Sequence, residues 1–287
     1  MSIWRYDEAA PLHPFYFNNQ SGCPFCSSAM KELGKVSDRE SIFDIDFGVD
    51  ARVCPSCGWW KLTQSIQSIF DDDDPYTPRS YSHRTYAAVG SLTDLDLTDL
   101  SWPIHEIKSY LTARFESRFN IHPRLFEKTV ESVMKDLGYK ARVISYSNDG
   151  GVDVILDGSD GTTIGVQVKR YRQSIEVEQI RSLIGALMLG GHTEGVFITT
   201  SHFQAGAYKA AELSAQKGLP VTLVNGAQFF DALKIAQMSC YSDYDLSSVP
   251  FKDVPLNVLS YNGGACSQDE RYIWEEPPDN SFNPTRR

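Results

Sequence analysis

Apolar and polar residues follow two different rhythms along the second half of the chain, and each rhythm predicts a different element. Apolar residues that recur every three or four positions predict helices at about 102–119, 123–137, 176–189, 203–217 and 227–234. Short apolar runs between glycines or polar residues predict strands at about 140–147, 151–156, 163–169, 195–200 and 220–224. The order α-β-β-β-α-β-α-β from residue 123 predicts an α/β domain.

The first seventy residues carry two Cys-x-x-Cys pairs, Cys23/Cys26 and Cys54/Cys57. Residues 41–47 alternate apolar and polar positions like a strand, and 59–62 is a candidate partner strand. Four thiolates in two knuckles suit tetrahedral Zn²⁺, and the stretch resembles a zinc ribbon. Coincidental cysteine pairs and a redox role are the alternatives.

Composition changes divide the chain into four parts. We expect a zinc-ribbon domain over 1–69, a linker over 70–102, the α/β domain over 103–235 and an irregular C-terminal tail over 236–287. The linker assignment depends on the aspartate run 71–74 and on the prolines and serines around it. The tail is rich in Ser, Asp, Asn and Pro.

Composition and charge limit the classes of function. The chain has 287 residues, of which 41% are hydrophobic, and no apolar run is long enough for a membrane helix. It begins with no recognisable export signal, so we expect a cytoplasmic protein whose cysteines are reduced. The net charge of −10 argues against a nucleic-acid partner, but residues 121–235 carry 12 basic and 12 acidic residues. The acidic excess therefore lies outside the α/β domain.

Three polar side chains interrupt two apolar strands of that domain. Asp153 is predicted to lie mid-strand, and Gln167 and Lys169 are two positions apart, so a strand points both to one face. Burying a carboxylate, an amide and an ammonium among apolar residues is costly unless they have a purpose. If the two strands pair as a hairpin, these groups meet, and they suit metal-assisted phosphodiester hydrolysis.

Four motifs in order resemble the Mrr-like branch of the PD-(D/E)xK nuclease superfamily, the restriction endonucleases. They are Phe126-Glu127, Asp149-Gly150-Gly151-Val152-Asp153, Gln167-Val168-Lys169 and Ile198-Thr199-Thr200-Ser201. The resemblance covers about 121–235 and implies the restriction-endonuclease-like α-β-β-β-α-β core.

The resemblance also implies the site residues. Asp153, Gln167 and Glu127 are expected to hold catalytic Mg²⁺, a cation that prefers oxygen ligands. Lys169 is expected to orient the attacking water and to stabilise the phosphate charge. Glu131, one helical turn later, is the alternative to Glu127 as a metal ligand. Gln167 replaces the carboxylate usual in the superfamily, so the number of metal ions stays open.

Basic residues near the lysine are candidate DNA contacts. Arg170 and Arg172 are expected to hold the DNA backbone, with a solvated loop as the alternative. Arg124 and Lys128 are weaker candidates of the same kind. The hydroxyls of Thr199 and Thr200 are expected to cap the following helix.

The function expected from these patterns is a Mg²⁺-dependent DNA endonuclease with a zinc ribbon, used in restriction or defence against foreign DNA. A catalytically idle module that binds nucleic acid or assembles a complex is the alternative. The ribbon is expected to bind DNA or a partner protein, or to be purely structural. Cleavage of both strands favours a homodimer or higher oligomer, with Leu183 and Met188 at a candidate contact.

Overall fold

The computed structural model describes residues 3–6, 22–40, 45–70, 80–144, 150–158, 161–240 and 257–261. The chain divides into two compact units, Met1–Thr93 with Asp243–Arg287, and Asp94–Ser242. Each unit is built on its own sheet. Over the described ranges, every helix is too short or too polar to span a bilayer.

The first unit is an antiparallel sheet that extends from the cysteine knuckles. Numbered along the chain, its described strands are β1 (Trp4–Tyr6), β2 (Lys31–Glu40), β3 (Ile45–Val53), β4 (Trp60–Phe70), β5 (Ser80–Leu92) and β11 (Asn257–Tyr261). Strands β2 to β5 pair in sequence, and β1 and β11 both pair with the other edge of β5. The second cysteine pair lies in the turn between β3 and β4.

Two segments of this unit differ from the sequence-based division. Residues 80–92, which we expected in a linker, form the strand β5, and 257–261 in the expected irregular tail form β11. Tyrosine, threonine and valine in β5 favour strands, and the neighbouring aspartates and prolines masked that preference in the sequence. The aspartate run 71–74 itself lies outside the described residues.

The second unit contains the predicted α/β domain. Its elements are α1 (Ile104–Ala113), a 3₁₀ helix (Phe115–Phe119), α2 (Pro123–Asp136), β6 (Lys140–Val143), β7 (Val154–Asp157), β8 (Thr163–Lys169), α3 (Val177–Gly190), β9 (Glu194–Thr199), α4 (Ala205–Gln216), β10 (Val221–Val224) and α5 (Gly226–Cys240). The mixed α/β fold is thus confirmed, with the predicted order of elements. The single helix expected over 102–119 is broken after Ala113.

The sheet of the second unit has the strand order β10-β9-β8-β7-β6. Strands β6, β7 and β8 are antiparallel neighbours, whereas β8, β9 and β10 are parallel and are joined by the helices α3 and α4. This topology is the restriction-endonuclease-like core, and it places the carboxyl ends of β8 and β9 side by side.

Helices cover both faces of this sheet. Buried residues of α3 and α4 pack with the sheet in one apolar cluster that includes Ile180, Leu183 and Phe197. On the other face α2 and α5 meet through Phe126 and Phe229, whose ring centroids are 5.3 Å apart. Leu183 is fully buried in its own domain, so it is not available for the contact between chains that the sequence suggested.

Candidate metal and nuclease site

Three segments of the second unit carry the predicted site residues. Glu127 lies in the second turn of α2, Asp153 directly precedes β7, and Gln167 and Lys169 lie in β8. The charge of Asp153 raises the pKa of the Glu127 carboxyl group, and the charge of Lys169 lowers it. Glu131, the alternative to Glu127, instead pairs with Lys135 at 2.8 Å on the helix surface.

Asp153 terminates a ladder of hydrogen bonds instead of lying mid-strand as predicted. Its backbone N–H donates to the Val166 carbonyl at 2.8 Å, and its Oδ2 accepts the Val168 N–H at 2.7 Å. The carboxylate thus accepts an N–H of β8 beyond the last residue pair of the β7–β8 ladder, Val154 with Val166. Gly150 and Gly151, just before it, have φ of 50° and 91°, a region that glycine adopts without strain. Asp149 lies outside the described residues.

Glu127 is largely buried, and an arginine one turn earlier on α2 holds its carboxylate. Nη1 of Arg124 donates to Glu127 Oε2 at 2.7 Å and to the Ile144 carbonyl at 2.8 Å. Burial raises the pKa of Glu127, and the charge of Asp153 raises it further, against the lowering effect of Arg124 and Lys169. A buried carboxylate beside a second one favours a bound cation.

The end of β8 is fixed by two threonines from β9 and the turn after it. Thr199 Oγ1 and the Thr200 N–H both donate to the Lys169 carbonyl, at 3.0 Å and 3.2 Å. Thr200 Oγ1 donates to the Tyr171 carbonyl at 2.8 Å. We expected these hydroxyls to cap the following helix, and that expectation was wrong, because they bind the chain that follows β8. Gln167 is buried in the same strand.

The two arginines after Lys169 contact the end of the 3₁₀ helix. Arg170 Nη1 donates to the Phe119 carbonyl at 2.6 Å, and its Nε is buried without a partner among the described residues. Arg172 is exposed, donates to Asn120 Oδ1 at 2.9 Å, and lies 5.0 Å from the Phe119 ring centroid. Arg170 is therefore engaged within the fold, whereas Arg172 is open to solvent.

The four cysteines of the first unit form one buried cluster. Cys23 Sγ and Cys57 Sγ are 3.6 Å apart, Cys26 Sγ and Cys54 Sγ are 3.4 Å apart, and all four atoms lie within 4.8 Å of one another. Thiolates bound at about 2.3 Å to one tetrahedral ion would lie about 3.8 Å apart. The donor set therefore fits Zn²⁺.

Local structure holds both knuckles in place. Gly58, four residues after Cys54, has φ 78° and donates its N–H to the Cys54 carbonyl at 2.9 Å. Ser27, four residues after Cys23, has φ 61° and donates its N–H to the Cys23 carbonyl at 2.9 Å. Trp4 of β1 donates Nε1–H to the Cys57 carbonyl at 2.6 Å. Burial raises the pKa of the Cys23 and Cys57 thiols, while hydrogen bonds from the other thiols lower that of Cys26.

Comparison with known proteins matches the second unit. A family model described as restriction endonuclease, that of the Mrr catalytic domain, matches residues 119–233. This segment contains Glu127, Asp153, Gln167 and Lys169 and almost the whole sheet with its helices. Residues 119–233 therefore resemble an Mrr-like restriction endonuclease domain, and we call them the Mrr-like domain. The cysteine cluster that precedes the Mrr-like domain is compatible with a zinc ribbon.

A curated relative agrees with this assignment. The type IV methyl-directed restriction enzyme EcoKMrr of Escherichia coli (strain K12) is 31% identical over 104 residues. The alignment covers 34% of this chain and 34% of the relative. The chain thus spans about a third of the length of this relative.

Proposed function

We propose that the chain is a divalent-metal-dependent endonuclease that hydrolyses phosphodiester bonds in DNA. The observation that carries the proposal is the Asp153 carboxylate bound to the Val168 N–H, between Gln167 and Lys169 of β8, in a segment that matches a restriction endonuclease family. The charges of Asp153 and Lys169 also act on the Glu127 carboxyl group of α2. Carboxylates, an amide oxygen and an ammonium are groups that suit metal-assisted hydrolysis of a phosphodiester.

Asp153, Glu127 and the Gln167 amide would hold the catalytic cation. All three offer oxygen, which makes Mg²⁺ the fitting ion. The bound ion would supply electrostatic stabilisation of the phosphate and a lowered pKa for a bound water. The neutral Gln167 contributes less charge than a carboxylate, so we expect moderate affinity for the ion.

Lys169 would orient the attacking water and stabilise negative charge on the phosphate. Thr199 and Thr200 donate hydrogen bonds to the Lys169 carbonyl, so the backbone that carries the ammonium group is fixed at the end of β8. The new bond forms between the water oxygen and phosphorus, and the bond from phosphorus to the 3′ oxygen breaks, which leaves 5′-phosphate and 3′-hydroxyl ends. Arg172, exposed next to this strand end, would contact the DNA backbone.

The cysteine cluster would bind one structural Zn²⁺. Buried thiols at tetrahedral spacing support this assignment, because a closed four-ligand site leaves no position for a substrate. The zinc ribbon would present a surface to DNA or to a partner protein.

Restriction of foreign DNA in the cytoplasm is the biological role that we propose. The likeness of 104 residues of the chain to a methyl-directed restriction enzyme supports it, and modified DNA is therefore the first substrate to try. Binding without cleavage is the competing function, and the same experiment separates the two.

The test is incubation of the purified full chain with methylated and unmethylated duplexes of the same sequence, with Mg²⁺ or with chelator. We expect Mg²⁺-dependent cleavage of at least one duplex, with 5′-phosphate ends. Lys169→Met, prepared in parallel, should bind DNA and leave it uncut. Binding of both duplexes without any cleavage would favour the idle module.

A further inference from the structure

One nitrogen of Arg124 contacts both a proposed metal ligand and the backbone at the edge of the sheet. Nη1 donates to the Glu127 carboxylate at 2.7 Å and to the carbonyl of Ile144 at 2.8 Å. Ile144 directly follows β6, so this guanidinium joins helix α2 to the edge of the sheet. Its side chain is only 20% exposed, which limits the competition from water.

The contact continues to the second carboxylate through the backbone of one residue. The Ile144 N–H donates to the Asp153 carbonyl at 2.9 Å, and the Asp153 carboxylate accepts the Val168 N–H. Hydrogen bonds and the backbone of Ile144 therefore link Glu127, through Arg124, to the backbone of Asp153. The Val168 N–H that binds the Asp153 carboxylate lies between Gln167 and Lys169, the other two residues of the proposed site.

We infer that Arg124 is a positioning residue that sets the spacing between Glu127 and Asp153 and thereby the affinity of the site for a divalent cation. This inference rests on the proposed function, since it assigns both carboxylates to the same ion. Arg124 itself need not touch the ion or DNA. A sequence reading that treats the residue as one more phosphate contact misses this role, because Ile144 is 20 positions away.

Charge and positioning predict opposite effects when Arg124 is removed. A cation next to a metal site repels the metal, so loss of its charge alone should tighten metal binding. Loss of the hydrogen bonds frees the Glu127 carboxylate from its fixed orientation, so a positioning role should weaken metal binding. Weaker metal binding without Arg124 therefore supports the positioning role, and tighter metal binding supports a pure charge effect.

The experiment measures Mn²⁺ binding to the zinc-loaded full chain by electron paramagnetic resonance, without DNA. Asp153→Asn defines the share of Mn²⁺ bound at this site. We expect Arg124→Gln to raise the Mn²⁺ dissociation constant by about tenfold, the usual effect of losing a hydrogen bond to a metal ligand. Arg124→Lys keeps the charge but loses the planar fork, so its constant should lie between those of wild type and Arg124→Gln.

Lys135→Gln is the matched control. It removes an exposed ion pair of the same helix, with Glu131, and should leave Mn²⁺ binding unchanged. In cleavage assays Arg124→Gln should raise the Mg²⁺ concentration for half-maximal rate while KM for DNA stays the same. Should Arg124→Gln fail to fold, Arg124→Lys decides alone, because pure charge predicts wild-type affinity for it.

Equal or tighter Mn²⁺ binding in Arg124→Gln, or wild-type binding in Arg124→Lys, overturns the inference. Its failure is separable from that of the proposed function. Weakened Mn²⁺ binding in a chain that cuts no DNA would leave the positioning role standing and refute the nuclease. DNA cleavage by the wild-type chain, together with unchanged Mn²⁺ binding in Arg124→Gln, would leave the nuclease standing and refute the positioning role.

Discussion

Asp153 accepts a backbone hydrogen bond and is a proposed metal ligand, and two substitutions separate these roles. The sequence suggested that Asp153→Ala would abolish cleavage and spare the fold, but the Asp153 carboxylate also accepts the buried Val168 N–H at 2.7 Å. In Asp153→Ala that N–H loses its partner, which costs about 1–3 kcal/mol. For a unit of this size each kcal/mol lowers the melting temperature by about 2–4 °C, so the variant should melt several degrees lower.

Asp153→Asn keeps an oxygen that can accept the Val168 N–H. Exchange of a charged acceptor for a neutral one costs about 1 kcal/mol, and relief of the repulsion with Glu127 offsets part of that loss. The Asn variant should therefore be clearly more stable than the Ala variant, yet equally inactive, because the charge that holds the cation is gone.

The assay is urea denaturation of both variants alongside single-turnover cleavage of plasmid DNA. Asp157→Asn is the control. Asp157 is the last residue of β7, is exposed and lies 3.7 Å from Arg142, so stability and rate should stay near wild type. Equal stability of Asp153→Ala and wild type would refute the hydrogen-bond argument. Wild-type cleavage by Asp153→Asn would refute the role of Asp153 in metal binding.

Three further predictions concern zinc, DNA and assembly. Metal analysis should give about one Zn²⁺ per chain. The Cys54→Ser variant should lose this ion and its first unit should unfold, because zinc binding supplies folding free energy there. Zinc-free protein with wild-type circular dichroism would contradict this. In Arg172→Gln, the plot of the logarithm of the DNA-binding constant against the logarithm of salt concentration should be less steep by about one. The control Lys217→Gln, at an exposed residue, should keep the wild-type slope. Equal slopes would remove Arg172 from the interface. Light scattering at micromolar concentration should detect a dimer. Met188→Glu should disrupt it, since the Met188 side chain is 71% exposed. A monomer with and without DNA would exclude this contact.

Much of the second unit was predictable because local periodicity and burial agree there. The helix predicted at 123–137 is α2 at Pro123–Asp136, and the strand predicted at 163–169 is β8. The cysteine spacing likewise predicted one cluster, since two knuckles with four thiols have few other ways to be satisfied. These features depend on residues close together in the sequence.

The features that the sequence did not indicate depend on contacts between distant residues. Arg170 contacts the carbonyl of Phe119, 51 positions away, and no pattern of charges marks that pair. Asp153 lies outside β7 because its side chain binds the backbone of the next strand. Strand β5 was missed because its pairing with β4, β1 and β11 outweighs weak local signals.

The most direct test of the proposed site is the location of Mn²⁺ by anomalous diffraction from crystals of the full chain. A peak in contact with oxygens of Asp153, Gln167 and Glu127 is the predicted result, and Asp153→Asn crystals should lack it. Mn²⁺ bound elsewhere, with these three side chains free of metal while the same preparation cleaves DNA, would contradict the proposed site.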